Sequence, residues 1–236
     1  MRKYIIFIFL SVLLYACAST LSEERRQEAS AHYQLGVSYL NDNNIQPAFV
    51  EFQKALDMNP HDTNVHNAIG VIYLEKLEDY PMAINHFKEA LRIDQNFSEA
   101  SNNLGNAYAK TGEYDKAIEF YKKATSNPLY PNAALALNNL AMVYYRLSKY
   151  DEAISTFKEA LKRHSDFHQP YYGLALSYNA KGQYGDASLA ISRAIELDPF
   201  YRNDREKAIK DLKDRKLRAR GAEEKDIIDY LEILNY

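Results

Sequence analysis

A repeat of about 34 residues constrains this chain more than any other feature. Tyr39, Tyr73, Tyr108, Tyr144 and Tyr178 follow one another at spacings of 34, 35, 36 and 34. Ala48, Ala83, Ala117, Ala153 and Ala187 run in step with them, and so do Ala55, Ala90, Ala124, Ala160 and Ala194. A period of this size means one supersecondary unit stacked repeatedly, each copy burying its neighbour's apolar face. The two alanines of each unit lie seven residues apart, two helical turns, so both face the adjoining helix and must stay small. Enlarging Ala117 or Ala153 to Leu is expected to cost about 1–3 kcal/mol by overpacking, read as a lower thermal midpoint. The composition follows from the pattern: 20 Tyr and no Trp, with most tyrosines at packing positions.

The clearest unit starts at Ser98 and contains Leu104-Gly105, Tyr108, the turn Thr111-Gly112-Glu113-Tyr114, and Ala117 through Ala124. It resembles the tetratricopeptide repeat, a helix pair with Leu-Gly and Tyr on helix A and two spaced alanines on helix B. The resemblance covers five units, 29–62, 63–97, 98–131, 134–167 and 168–201. Leu35-Gly36, Ile69-Gly70, Leu104-Gly105, Leu140-Ala141 and Leu174-Ala175 fill the first site, and Phe52, Phe87, Tyr121, Phe157 and Ile191 the large apolar site of helix B. The fold class this implies is all-α, a right-handed superhelical solenoid of tetratricopeptide helix pairs. Gly or Ala at the eighth position lets the two helices approach closely.

Two irregularities interrupt the period. Repeat two has one extra residue around Leu77-Glu78-Asp79-Tyr80-Pro81, and two residues are added within Asn127-Pro128-Leu129-Tyr130-Pro131-Asn132. Prolines three apart cannot continue a helix, so a stiff elbow is expected there. Residues 202–236 hold no clear repeat. Arg205 to Arg220 is basic and Gly221 to Tyr236 acidic. A capping helix pair, a degenerate sixth repeat, is the expectation; a basic strip touching anionic head groups is the alternative.

At the other end, Met1-Arg2-Lys3 precedes an apolar run from Tyr4 to Leu14. Eleven residues are too short to span a bilayer, which needs about 20, and suit a secretory signal. Leu14-Tyr15-Ala16-Cys17 resembles the lipobox of bacterial lipoproteins. That implies a signal peptide over 1–16, lipid attachment at Cys17, and a lipidated linker over 17–28. Several acyl chains hold almost permanently, so the protein is expected to be anchored and not spanning. With Ala18 after the cysteine, the lipoprotein resemblance implies the periplasmic face of the outer membrane. A plain signal peptide with an incidental cysteine is the other reading.

The chemistry of enzymes is missing from the sequence. It contains no phosphate-binding Gly loop, no His-Glu-x-x-His and no Gly-x-Ser-x-Gly, and Cys17 is its one cysteine. Neither a catalytic residue, a metal site nor a cofactor is expected. His164 and His168 lie on either side of an inter-repeat turn, and His32 stands at a packing position. With 29 basic and 32 acidic residues, the chain offers no broad surface for nucleic acid.

The tetratricopeptide resemblance places a partner on the A helices, at positions 2, 5, 6, 9, 12 and 13 of each unit. The candidates are Tyr33, Val37 and Leu40 in repeat one, Asn67, Val71 and Leu74 in repeat two, and Asn102, Asn103 and Asn106 in repeat three. Repeat four offers Asn138, Asn139, Met142, Tyr145 and Arg146, and repeat five Tyr172, Leu176 and Asn179. A carboxamide both donates and accepts, so a row of Asn can pair with an extended peptide, or bind only water. Tyr and Arg are frequent anchors.

The lipobox, the short linker, Tyr33-x-Leu35-Gly36-x-x-Tyr39-Leu40 and Asn127-Pro128-Leu129-Tyr130-Pro131 before Asn138-Asn139-Leu140 together resemble a narrower family, the pilotin lipoproteins of type IV pilus biogenesis. That resemblance implies a scaffold that helps the pilus secretin reach the outer membrane and assemble. A general envelope scaffold recruiting peptidoglycan enzymes or assembly factors is the alternative, and a glycan-binding accessory a third.

Overall fold

The structure, a computed structural model, describes residues 23–235; the expected signal segment, Cys17 and the start of the expected linker lie outside them. The described residues form twelve helices and no strand. Helix α1 covers 23–41. It is followed by α2 (Ile45–Met58), α3 (Thr63–Glu75), α4 (Tyr80–Ile93), α5 (Ser98–Lys110) and α6 (Tyr114–Thr125). Then come α7 (Ala133–Arg146), α8 (Tyr150–Arg163), α9 (His168–Ala180), α10 (Tyr184–Leu197), α11 (Arg205–Lys216) and α12 (Gly221–Ile233). Residues 23–28, expected as linker, are helical. Glu, Arg and Gln make up that stretch and are strong helix formers, so α1 begins ahead of the first repeat.

The periodic tyrosines mark where each A helix ends. Their carbonyls accept the amide that closes the turn: Asn44 to Tyr39 at 2.8 Å, and Asp79 to Tyr73, Glu113 to Tyr108, Lys149 to Tyr144 and Gln183 to Tyr178 at 2.9 Å. Each turn carries one residue in the left-handed region: Asn43, Glu78, Gly112, Ser148 or Gly182. Glycine takes that conformation without strain, whereas Glu78 and Ser148 hold it against a side-chain penalty. The extra residue of repeat two sits in this loop, one residue longer before Asp79. Asp79 then caps α4 by accepting from the Met82 amide at 3.1 Å, and Asp62 caps α3 through Asn64 and Val65.

The chain divides into two compact units, one through Ala107 and one from Tyr108. In the first, Ala48, Phe52, Ala55, Val65, Ile69 and Ile72 form a fully buried cluster. A Cβ on Gly36 would lie 2.6 Å from the Phe52 ring, and one on Gly70 2.5 Å from the Phe87 ring. The eighth position is therefore small because the helix B aromatic occupies the space of a side chain. Leu35 is 43 % exposed, although its counterparts Ile69 and Leu104 are buried; among the described residues none covers it.

The second unit runs from Tyr108 through α12 with one extended core. Phe157, Ala175, Leu176, Ile191, Ala208, Leu212, Ile227 and Ile233 belong to it. The Phe157 ring also fills the space above Gly173, where a Cβ would approach to 2.1 Å. The residues inserted before repeat four bury Tyr130 with Ala124, Ala133 and Ala136 between α6 and α7, while Leu129 stays 85 % exposed.

Candidate interaction groove

In the first unit, Tyr33, Val37 and Leu40 lie half-buried on α1 against the Phe52 cluster. The Tyr33 and Phe52 rings are tilted, 5.9 Å apart. Burial, with Asp62 nearby, pushes the Tyr33 hydroxyl's pKa up, so it stays a neutral donor and acceptor. Val71 is half-exposed and Leu74 buried. The patch is apolar with a phenolic handle, the composition of an interface anchor.

The asparagines behave differently from a free peptide-binding row. Asn103 donates to Asn67 at 3.0 Å and Asn102 donates to Asn103 at 3.3 Å. Asn102 and Asn103 are buried. Asn138 is buried too and donates to Asn139 at 3.4 Å. These carboxamides bond within the repeat array, and Asn67, Asn106, Asn139 and Asn179 are all half-buried. An interior role follows from position five, which the neighbouring repeat covers; a sequence without contacts does not reveal that.

In the second unit three of the predicted groove positions, Tyr145, Arg146 and Tyr172, meet the last described helix, α12. Arg146 on α7 forms a two-pronged ion pair with Asp226 on α12, one N–O distance being 2.7 Å. Asp226 is buried, and Arg146 keeps its charge. Tyr145, also buried, hydrogen-bonds Asp229. Tyr172 on α9 meets Tyr230 edge-on at 5.6 Å. Met142 packs half-buried against the same core, and Leu176 is 0 % exposed within it. A capping pair was expected, and α11 does bury Ala208 and Leu212. Yet α12 goes further, reaching the end of α7 at Tyr145 and Arg146 and Tyr172 on α9. The sequence signal for this was the apolar and acidic pattern Asp226, Ile227, Asp229, Tyr230, which is one helix face.

The pairing of two histidines escaped the sequence reading. His66 and His86 stand side by side in the first unit, Nδ1 to Nδ1 3.2 Å, and Tyr73 stacks on His86. Burial and the neighbouring His66 lower the His86 pKa to about 4. His32, expected as core packing, instead bonds Glu51 at 2.5 Å, and Lys54 joins the same carboxylate. Among the described residues no group of three or more His, Cys, Asp or Glu could hold a metal ion, and no helix is long and apolar enough to cross a membrane.

Sequence models of the tetratricopeptide repeat match residues 29–62, 76–112, 97–166 and 138–202. The type IV pilus assembly protein PilF of Pseudomonas aeruginosa is 28% identical over 137 residues, 55% of this chain and 54% of that protein. The chain thus matches about half of that relative's length. A solved structure of P. aeruginosa PilF superposes with a TM-score of 0.68 at 22% identity, covering 90% of this chain and 99% of that one. PilW, a type IV pilus biogenesis factor, gives 0.68 at 22%, covering 72% and 77%. YrrB, a repeat protein with an unusual peptide-binding site, gives 0.58 at 21%, covering 78% and 94%. The chain is a tetratricopeptide-repeat protein, its described residues forming helices and no strand, and it is similar to the type IV pilus assembly protein PilF over about half of that protein's length.

Proposed function

We propose that this protein is a lipid-anchored scaffold of the cell envelope that captures a subunit of the type IV pilus secretin and promotes its assembly or placement in the outer membrane. One observation carries the reading: the similarity to a pilus assembly protein runs over a chain whose first repeats keep a half-open apolar groove at Tyr33, Val37 and Leu40. Repeat grooves of this fold take peptides or proteins, and capture of an extended or helical segment needs no catalysis. The lipid on Cys17 would hold the groove within a few nanometres of the membrane. Confinement would raise the local concentration of captured subunits and so favour multimer formation.

The test is co-purification of the tagged protein from detergent-solubilised membranes. Recovery of an outer-membrane secretin, lost when Tyr33 and Leu40 become Ala, is the expected result. Intact secretin multimers and normal twitching in a strain lacking the protein would overturn the reading. Recovery of peptidoglycan enzymes without secretin would shift it to a general envelope scaffold. Globomycin-sensitive processing, or its absence after Cys17→Ser, tests the anchor separately.

A further inference from the structure

The way α12 is held points to what the groove of repeats four and five is built to bind. A helix that served only to seal an apolar face would present apolar side chains. α12 does so with Ile227, Ile233 and the adjoining Leu234, and beside them it brings two carboxylates, Asp226 and Asp229, to the contact. Burying a carboxylate is costly unless it is paired, and burial pushes the Asp229 pKa up even though Tyr145 bonds it. Each acid meets a matching group that α7 supplies: the planar guanidinium of Arg146 takes Asp226 at two oxygens, and Tyr145 donates to Asp229. Tyr230, one turn after Asp226, meets the Tyr172 ring. Ile227 is buried in the same core as Leu176. The face thus reads as a recognition code: acid, apolar, acid and aromatic at positions i, i+1, i+3 and i+4 of a helix.

The segment ahead of α12 is exposed at Leu217, Arg218 and Arg220 and buried at Ala219, and Gly221 turns the chain in the left-handed region at φ 60°. On α12's own far side, Ile228 is 41 % exposed. Ala219, Ile227, Ile233 and Leu234 share the core of α7 to α10, so a helix that replaces α12 must bury equivalent apolar surface.

We infer that the groove of repeats four and five is a receptor for an amphipathic partner helix carrying an acidic residue with an aromatic one turn later, and that α12 is its resident ligand, displaced when that helix binds. The inference does not depend on which protein the scaffold serves. It implies that the two stretches of groove differ in availability: the first repeats bind directly, while repeats four and five bind only in competition with α12. The resident helix has the advantage of tethering, so a partner must offer higher intrinsic affinity or a second contact elsewhere on the array.

The experiment uses the full chain and a fluorescent peptide of residues 221–235. In Asp226→Arg the resident helix repels Arg146 while the receptor side is untouched. Asp226→Arg is expected to bind the peptide at least tenfold more tightly than the unsubstituted chain. A peptide with Asp226 and Tyr230 changed to Ala should lose that gain, and Arg146→Asp combined with Asp226→Arg should re-close the groove. Equal, weak binding by the unsubstituted chain and Asp226→Arg would overturn the inference, making α12 a permanent part of the fold. A concentration-dependent dimer of Asp226→Arg exchanging α12 between copies would overturn the partner-helix reading in favour of a second copy. If Asp226→Arg does not fold, native-state hydrogen exchange on the unsubstituted chain decides. Amides of α12 exchanging at least tenfold faster than those of α8 to α10 support a displaceable helix, and equal protection refutes it.

Discussion

The groove positions of repeats one and two and those of repeats four and five come from the same repeat, yet they meet different fates. At position nine, Val37 and Val71 are half-exposed, while Leu176 is fully buried in the core that α12 shares. At position five, Tyr33 lies beside Phe52 with its edge open, while Tyr172 is engaged by Tyr230. The difference teaches that register within a repeat says which way a side chain points but not whether that direction is vacant. Vacancy depends on whatever segment follows the last repeat, and here that segment carries the charges to reach back two helix pairs.

The sharpest way to break the comparison is to remove the aromatic that each unit packs around. Phe52→Ala and Phe157→Ala should each cost about 3–5 kcal/mol in denaturant unfolding. Hydrogen exchange should place the loss in the first unit for Phe52 and in the second for Phe157. Loss spread evenly over both in either variant would mean that the two units do not differ in their cores.

A smaller effect isolates the contact that sets the two grooves apart. Arg146→Ala leaves Asp226 without its partner and should lower stability by about 2–3 kcal/mol, less than a fully buried pair because Arg146 keeps part of its exposure. An unchanged denaturation midpoint would show that α12 is held by its apolar residues alone.

The pH dependence belongs to the first unit. In the folded state His86 has its pKa lowered to about 4, below the ordinary histidine value near 6.5. The unfolded chain therefore binds the proton more readily, so His86 contributes stability that is present above pH ~6.5 and lost as pH falls toward about 4. Following the first unit's exchange protection between pH 7 and 4.5 should show this loss, and His86→Gln should flatten it. The second unit should change less over the same range.

The smallest effect concerns the turns. Gly182 sits at φ 72° with open space around it, so Gly182→Ala should cost about 1 kcal/mol from backbone strain alone. The reverse change in the first unit, Glu78→Gly, relieves a strained residue and should leave the midpoint equal or slightly higher. A rise after Gly182→Ala would mean that the turn relaxes out of the left-handed region.

Much of the architecture was legible in the chain itself. The tyrosine and alanine series gave the helix pairs because identical packing sites recur only when identical neighbours recur. All ten periodic alanines are fully buried. The eighth-position glycines were legible for the same reason, and the distances to Phe52 and Phe87 supply the cause. Gly173 was not singled out, since its contact is with the helix B of the preceding repeat and not with its own.

The candidate groove was legible only as a direction. Asn67, Asn102, Asn103, Asn138 and Asn139 sit where the repeat puts them, but their carboxamides bond within the array. Hydrogen-bond partners depend on atoms a full repeat away, 36 residues in the case of Asn67 and Asn103. The pairing of His66 with His86 is hidden for the same reason, since 20 residues separate them.

The sequence by itself determined the helix pairs, their turns and the small packing residues, because those follow from short-range spacing and from periodicity. Only the tertiary structure decided that α12 covers the face of α7 and α9 with Arg146 paired to Asp226, 80 residues apart. That choice rests on the burial of charge: an acid can lie beneath the surface only where a distant cation is fixed to receive it, and no local pattern records that position.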